Sequence, residues 1–146
     1  CYVSYVICTL IVIFFADLKY FIIPDQVIFF GIIVSFIFNW QVGSLLNNLL
    51  SAVLAGGFFL FLVLVTRGKG MGLGDVKLAV FMGLVLGWPK VALAIFLAFF
   101  FGAVVGVGLV LARRKTLKSE IPFGTFLSAC TLVVIFFGDK ILGILF

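Results

Sequence analysis

The stretch Gln26–Thr66 reads QVIFFGIIVSFIFNWQVGSLLNNLLSAVLAGGFFLFLVLVT and holds no Asp, Glu, Lys or Arg. A helix needs about 20 mostly apolar residues to cross a bilayer, and this run is long enough for two crossings. Its middle, Asn39-Trp40-Gln41-Val42-Gly43-Ser44, carries the polar residues and glycine of a turn. In lipid every backbone N–H and C=O must be satisfied within the protein, so an apolar run of this length is helical. The expected fold class is all-α, a polytopic membrane helix bundle.

Outward from this run the same pattern repeats. Tyr2 to Ala16 is an uncharged first span that stops at Asp17-Leu18-Lys19, and Pro24-Asp25 opens the second. Arg67-Gly68-Lys69-Gly70 closes the third. A fourth span is expected from about Met71 to Trp88, a fifth from Val91 to Ala112 and a sixth from Ile121 to about Gly138. Six spans at ~20 residues use ~120 residues, so residues 1–146 make a single transmembrane domain with short connections. Seven basic residues (Lys19, Arg67, Lys69, Arg113, Arg114, Lys115 and Lys118) follow spans one, three and five, against Lys90 and Lys140 on the other side. The positive-inside rule makes the first set cytoplasmic and places the N-terminus outside.

Composition narrows the chemistry. The chain is 66% hydrophobic and 10% charged, where soluble proteins are about 45–50% and 25%. With no histidine, Ser-His-Asp hydrolases, Cys-His proteases and His-ligated metal sites are excluded. Cys1, Cys8 and Cys130 are too scattered for a zinc ribbon or a disulfide scaffold. The net charge of +5 reflects topology and lipid-headgroup affinity at Arg113-Arg114-Lys115, so no nucleic-acid partner is expected.

Five carboxylates remain: Asp17, Asp25, Asp75, Glu120 and Asp139. Asp17 ends the first span and Asp75 begins the fourth; two crossings separate them, so both fall on one face. Too few residues separate Asp75 from Lys90 for a full crossing, which draws Asp75 into the membrane edge. Carboxylates there are costly and by default functional. Asp75 follows Gly70-Met71-Gly72-Leu73-Gly74, whose glycines allow close backbone approach by an extended substrate. Two close aspartates can share a proton, one acting as base toward water and the other as acid, with no metal or cofactor. The plain alternative pairs Asp17 with Lys19 and Asp75 with Lys77 at helix ends. A small transporter or scaffold binding protons or cations through the pair is the non-enzymatic alternative; it calls for charges nearer the midplane.

Pro24-Asp25 and Ile121-Pro122-Phe123-Gly124 open spans on the same face, as prolines at helix starts do. Asp25 and Glu120 offer charge to a cationic segment or serve as solvated acids. Ala55-Gly56-Gly57 and Gly102 to Gly108 are expected at close helix contacts. Asn47 and Asn48 are expected to bond across helices or to interfacial water.

Asp17 with Ile23-Pro24-Asp25, then Gly72-Leu73-Gly74-Asp75-Val76-Lys77-Leu78, then Ile121-Pro122-Phe123-Gly124, resembles the type IV prepilin peptidases in order and over the whole chain. These are intramembrane aspartyl proteases with a Gly-x-Gly-Asp motif. The resemblance implies that Asp17 and Asp75 are catalytic, with Gly72, Gly74, Lys77, Pro24, Asp25, Pro122 and Gly124 binding substrate or supporting the site. It implies substrates that are prepilins or type II secretion pseudopilins, with a basic leader, a Gly before the cut and a hydrophobic helix. It also implies cleavage at the cytoplasmic face of the inner membrane, in contact with the lipid bilayer. Presenilin-type proteases share Gly-x-Gly-Asp but also carry Tyr-Asp and Pro-Ala-Leu; here Ala16 precedes Asp17 and Pro-Ala-Leu does not occur. Many bacterial members carry a four-cysteine zinc-binding segment that this sequence does not contain, so N-methyltransferase activity is not expected. Thr125 stands where the family often has Pro. A homo-oligomer is compatible with the sequence, and nothing in it requires one.

Overall fold

The computed structural model of the chain describes residues 2–20, 24–67, 73–112 and 123–145. They form six helices: α1 (Tyr2–Tyr20), α2 (Asp25–Val42), α3 (Leu45–Thr66), α4 (Leu73–Leu86), α5 (Lys90–Leu111) and α6 (Phe123–Leu145). All except α4 are long and apolar enough to cross a membrane, and the protein is a multi-pass membrane protein. The described part of α4 has 14 residues, about 21 Å at 1.5 Å per residue.

The expected turn lies between α2 and α3. Gly43 takes the left-handed conformation at φ 84°, which glycine adopts without a Cβ penalty, and its N–H donates to the Asn39 carbonyl at 3.0 Å. Two helices run past their expected limits. α1 continues beyond Ala16 because Asp17 falls on its buried stripe, Val6, Thr9, Leu10, Ile13 and Asp17, the spacing of one helical face. α6 continues through Asp139 to Leu145, and the exposed Asp139 carboxylate pairs with Lys90 at the start of α5 at 3.1 Å.

The short helix is the centre. Leu78, Ala79, Phe81, Met82, Gly83 and Leu84 of α4 are buried, and α2, α3, α5 and α6 all pack against it. On α5, by contrast, Phe96, Phe100, Phe101, Val104 and Val107 are exposed, as suits a lipid-facing helix. Small residues let α4 sit so deep: a Cβ on Gly83 would fall onto the backbone of Ala52 and Ser51 in α3. The expected glycine contacts divide. Gly56 packs on Val80, whereas a Cβ on Gly57 or Gly108 meets nothing within 4 Å among the described residues. A Cβ on Gly102 would make ordinary contact with the Phe123 ring.

Contacts along the helices fix their directions. The Tyr2 hydroxyl donates to Ser35 at 2.9 Å and its ring stacks on Phe38, so the start of α1 meets the end of α2. α2 and α4 run parallel, joined near their starts by Asp25 and Lys77 and near their ends by Asn39 and Leu84. At that second end the Asn39 amide donates to the Leu84 carbonyl at 2.7 Å. The Asn48 amide donates to the same carbonyl at 2.8 Å and to Asn39 Oδ1 at 2.9 Å. Asn48 thus bonds across helices, as one of its two expected roles required.

Candidate active site

Three contacts bring the end of α1 and the starts of α2, α4 and α6 to one end of the bundle. α1 is antiparallel to α2, α2 is parallel to α4, and the last turns of α1 meet the first turn of α6 through Asp17 and Thr125. Asp17, Asp25, Asp75, Lys77 and Gly124 therefore share that end, opposite the asparagine cluster.

Asp17 is buried, with 5% of its surface exposed. The Thr125 backbone N–H donates to its Oδ2 at 2.8 Å, and the Thr125 hydroxyl donates to the same oxygen at 3.2 Å. Thr125 sits in the first turn of α6, where backbone N–H groups have no partner within the helix. The buried carboxylate thus meets one of those donors, and a helix start 108 residues away in sequence holds it in place.

Asp75 lies in the first turn of α4 and is half-buried, as is Gly74 beside it. Lys77 reaches across to Asp25, Nζ to Oδ1 at 2.9 Å, and lies 5.5 Å from the centre of the Phe29 ring. Lys19 lies over the Tyr20 ring, while Asp17 takes its hydrogen bonds from Thr125. The plain alternative for Asp17, a pair with Lys19, is not what the structure shows. Pro24 precedes α2 and its carbonyl accepts from the Ile28 N–H at 3.2 Å, so it opens the helix. Gly124 is buried and its carbonyl accepts from the Ser128 hydroxyl at 2.8 Å. Gly72, Pro122 and Glu120 lie outside the described residues.

Among the described residues no group of three or more His, Cys, Asp or Glu comes together to hold a metal ion. What the end offers is two carboxylates on different helices, one of them gripped on a single oxygen. Proton transfer to and from a water and a carbonyl is the chemistry such groups can perform. Thr125 is the residue that sequence reasoning passed over. Its signal was present, a hydroxyl and an N–H where proline often stands.

A profile of the type IV leader peptidase family matches residues 4–107. The chain belongs to that family. The match takes in Asp17, Asp25, Gly74, Asp75 and Lys77 and stops before Gly124 and Thr125. The chain is 31% identical over 138 residues to the prepilin leader peptidase/N-methyltransferase of Aeromonas salmonicida (strain A449), covering 90% of this chain and 47% of that protein. It is 29% identical over 141 residues to the protein of the same name from Bacillus subtilis (strain 168), covering 92% and 54%. To the one from Pseudomonas aeruginosa it is 38% identical over 84 residues, covering 58% and 29%. This leader peptidase family member thus spans about half the length of the first two relatives. No solved structure matches it.

Proposed function

We propose that the chain is a membrane-embedded aspartyl endopeptidase that removes the leader from type IV prepilins or type II secretion pseudopilins. The observation that carries this reading is that Asp17 and Asp75 lie at the same end of the helix bundle, in a chain of the type IV leader peptidase family. In this reading the two carboxylates share one proton. The ionised one takes a proton from water as the water oxygen adds to the scissile carbonyl; the other gives its proton to the carbonyl oxygen. Collapse of the tetrahedral intermediate breaks the C–N bond, and a carboxyl group protonates the leaving amine. Lys19 and Arg67 end α1 and α3 on the same side as the carboxylates, which by the positive-inside rule supports a cytoplasmic site in the inner membrane. Gly74, Gly124 and Pro24 shape the entry to the site, and the Asp25–Lys77 pair borders it. We assign only the peptidase step to this chain, although the relatives' names also print an N-methyltransferase.

The test is cleavage of a purified prepilin in detergent. Asp17→Asn and Asp75→Asn are each expected to lower the rate by about 10²–10⁴-fold, the scale of general acid–base catalysis. A wild-type rate in either variant would refute the dyad.

A further inference from the structure

We infer that Thr125 is a positioning residue for Asp17, holding one carboxylate oxygen so that the other faces the reacting water. The inference rests on the catalytic reading of Asp17 and goes beyond it to a residue outside the dyad.

The hydroxyl of Thr125 behaves unlike others in this protein. Thr9, Ser51, Thr66, Ser128 and Thr131 each turn the hydroxyl back to the carbonyl four residues earlier in their own helix. That is the ordinary habit of a helical Ser or Thr. Thr125 instead donates across to α1, and its backbone N–H does the same. Both donors converge on Oδ2, leaving Oδ1 outside the pair. The terminal torsion of an aspartate is broad and two-fold, so a carboxylate held by packing alone can exchange its two oxygens. Two donors from one stiff β-branched residue remove that freedom. Both partners are buried, Thr125 at 8% exposure and Asp17 at 5%, so water does not compete for the grip. Among the described residues the hydrogen bonds of Asp17 come from Thr125, which makes this contact its orienting one.

The test measures kcat and KM for a purified prepilin in detergent, with a thermal melt to normalise to folded protein. Thr125→Val keeps the shape and the N–H but loses the hydroxyl; Thr125→Ala loses the hydroxyl without placing a methyl against the carboxylate. Each is expected to lower kcat by about 10- to 100-fold, the worth of a hydrogen bond to a charged group, with KM changed by less than about twofold. Thr125→Ser restores the hydroxyl and is expected to return kcat to within about threefold of wild type. A wild-type kcat in both hydroxyl-free variants, a loss confined to KM, or failure of Ser to restore the rate overturns the positioning role. Asp17→Asn runs alongside. If it is inactive while Thr125→Val and Thr125→Ala are normal, the positioning role alone fails; if it cleaves at the wild-type rate, the catalytic reading itself fails.

Discussion

Replacing Gly83 by alanine tests whether α4 is centred by direct backbone contact. The added Cβ would lie 2.5 Å from the Ala52 nitrogen and 2.7 Å from the Ser51 carbonyl carbon. Carbon atoms in ordinary contact stand about 3.5–4.0 Å apart, so α3 and α4 must separate by roughly 1 Å. Overpacking of this kind costs about 1–3 kcal/mol. Because the obstacle is backbone and cannot rotate away, the cost belongs in the upper half of that range. Alanine recovers about 1 kcal/mol of helix propensity over glycine, leaving a net loss of about 1–2 kcal/mol. Two glycines of α3 calibrate the result. Gly56→Ala meets the Val80 side chain, Cγ2 at 2.5 Å; a β-branched valine yields little, so this variant should also lose stability, by about 1 kcal/mol. Gly57→Ala meets nothing among the described residues and should be neutral or gain up to about 1 kcal/mol. Reversible unfolding in mixed micelles gives all three values. If Gly83→Ala is as stable as wild type, or Gly57→Ala loses as much, backbone contact does not set the depth of α4.

The asparagine cluster and the ion pair at the other end should differ in weight. In a double-mutant cycle, Asn39→Ala and Asn48→Ala should couple by about 0.6 kcal/mol, with about 1.7 as the ceiling seen for hydrogen bonds between membrane helices; additive losses would contradict the shared bond at 2.9 Å. Asp25→Asn should cost no more than about 1 kcal/mol and less at high salt, because its pair with Lys77 is well exposed. A loss above about 2 kcal/mol, measured by the same unfolding assay, would give the pair a larger structural role than its exposure supports.

The helix count, the turn at Gly43 and the sharing of one end by Asp17 and Asp75 were legible because charge marks where an apolar chain leaves the membrane. A charge marks where the chain leaves lipid and not where a helix ends, and so α1 and α6 run past Ala16 and Gly138. Helix faces were harder to read. Lipid is as apolar as leucine, so hydropathy does not separate the face that packs from the face that meets lipid. Small polar residues do so more often: Thr9, Ser35, Asn39, Asn48, Ser51, Thr125, Ser128 and Thr131 are buried, whereas Ser4, Asn47 and Thr66, near helix ends, are exposed. Asp17 follows the same rule, lying four residues after Ile13 on the buried stripe of α1. Thr125 was visible only as a departure from a pattern; its meaning depends on a helix at the far end of the sequence.

The enclosure of α4 also bears on how the protein is made. A segment with Asp75 and Lys77 in its first turns is a poor independent passenger for insertion, since each such charge is costly in lipid. Its walls are α2, α3, α5 and α6, and the last two are translated after it. The seat for α4 is therefore complete only when synthesis has passed α6, the helix that brings Thr125 to Asp17. A nascent chain halted before α6 carries Asp17 and Asp75 but lacks Thr125 and one wall of α4, so the bundle end that the two aspartates share is a late product of translation.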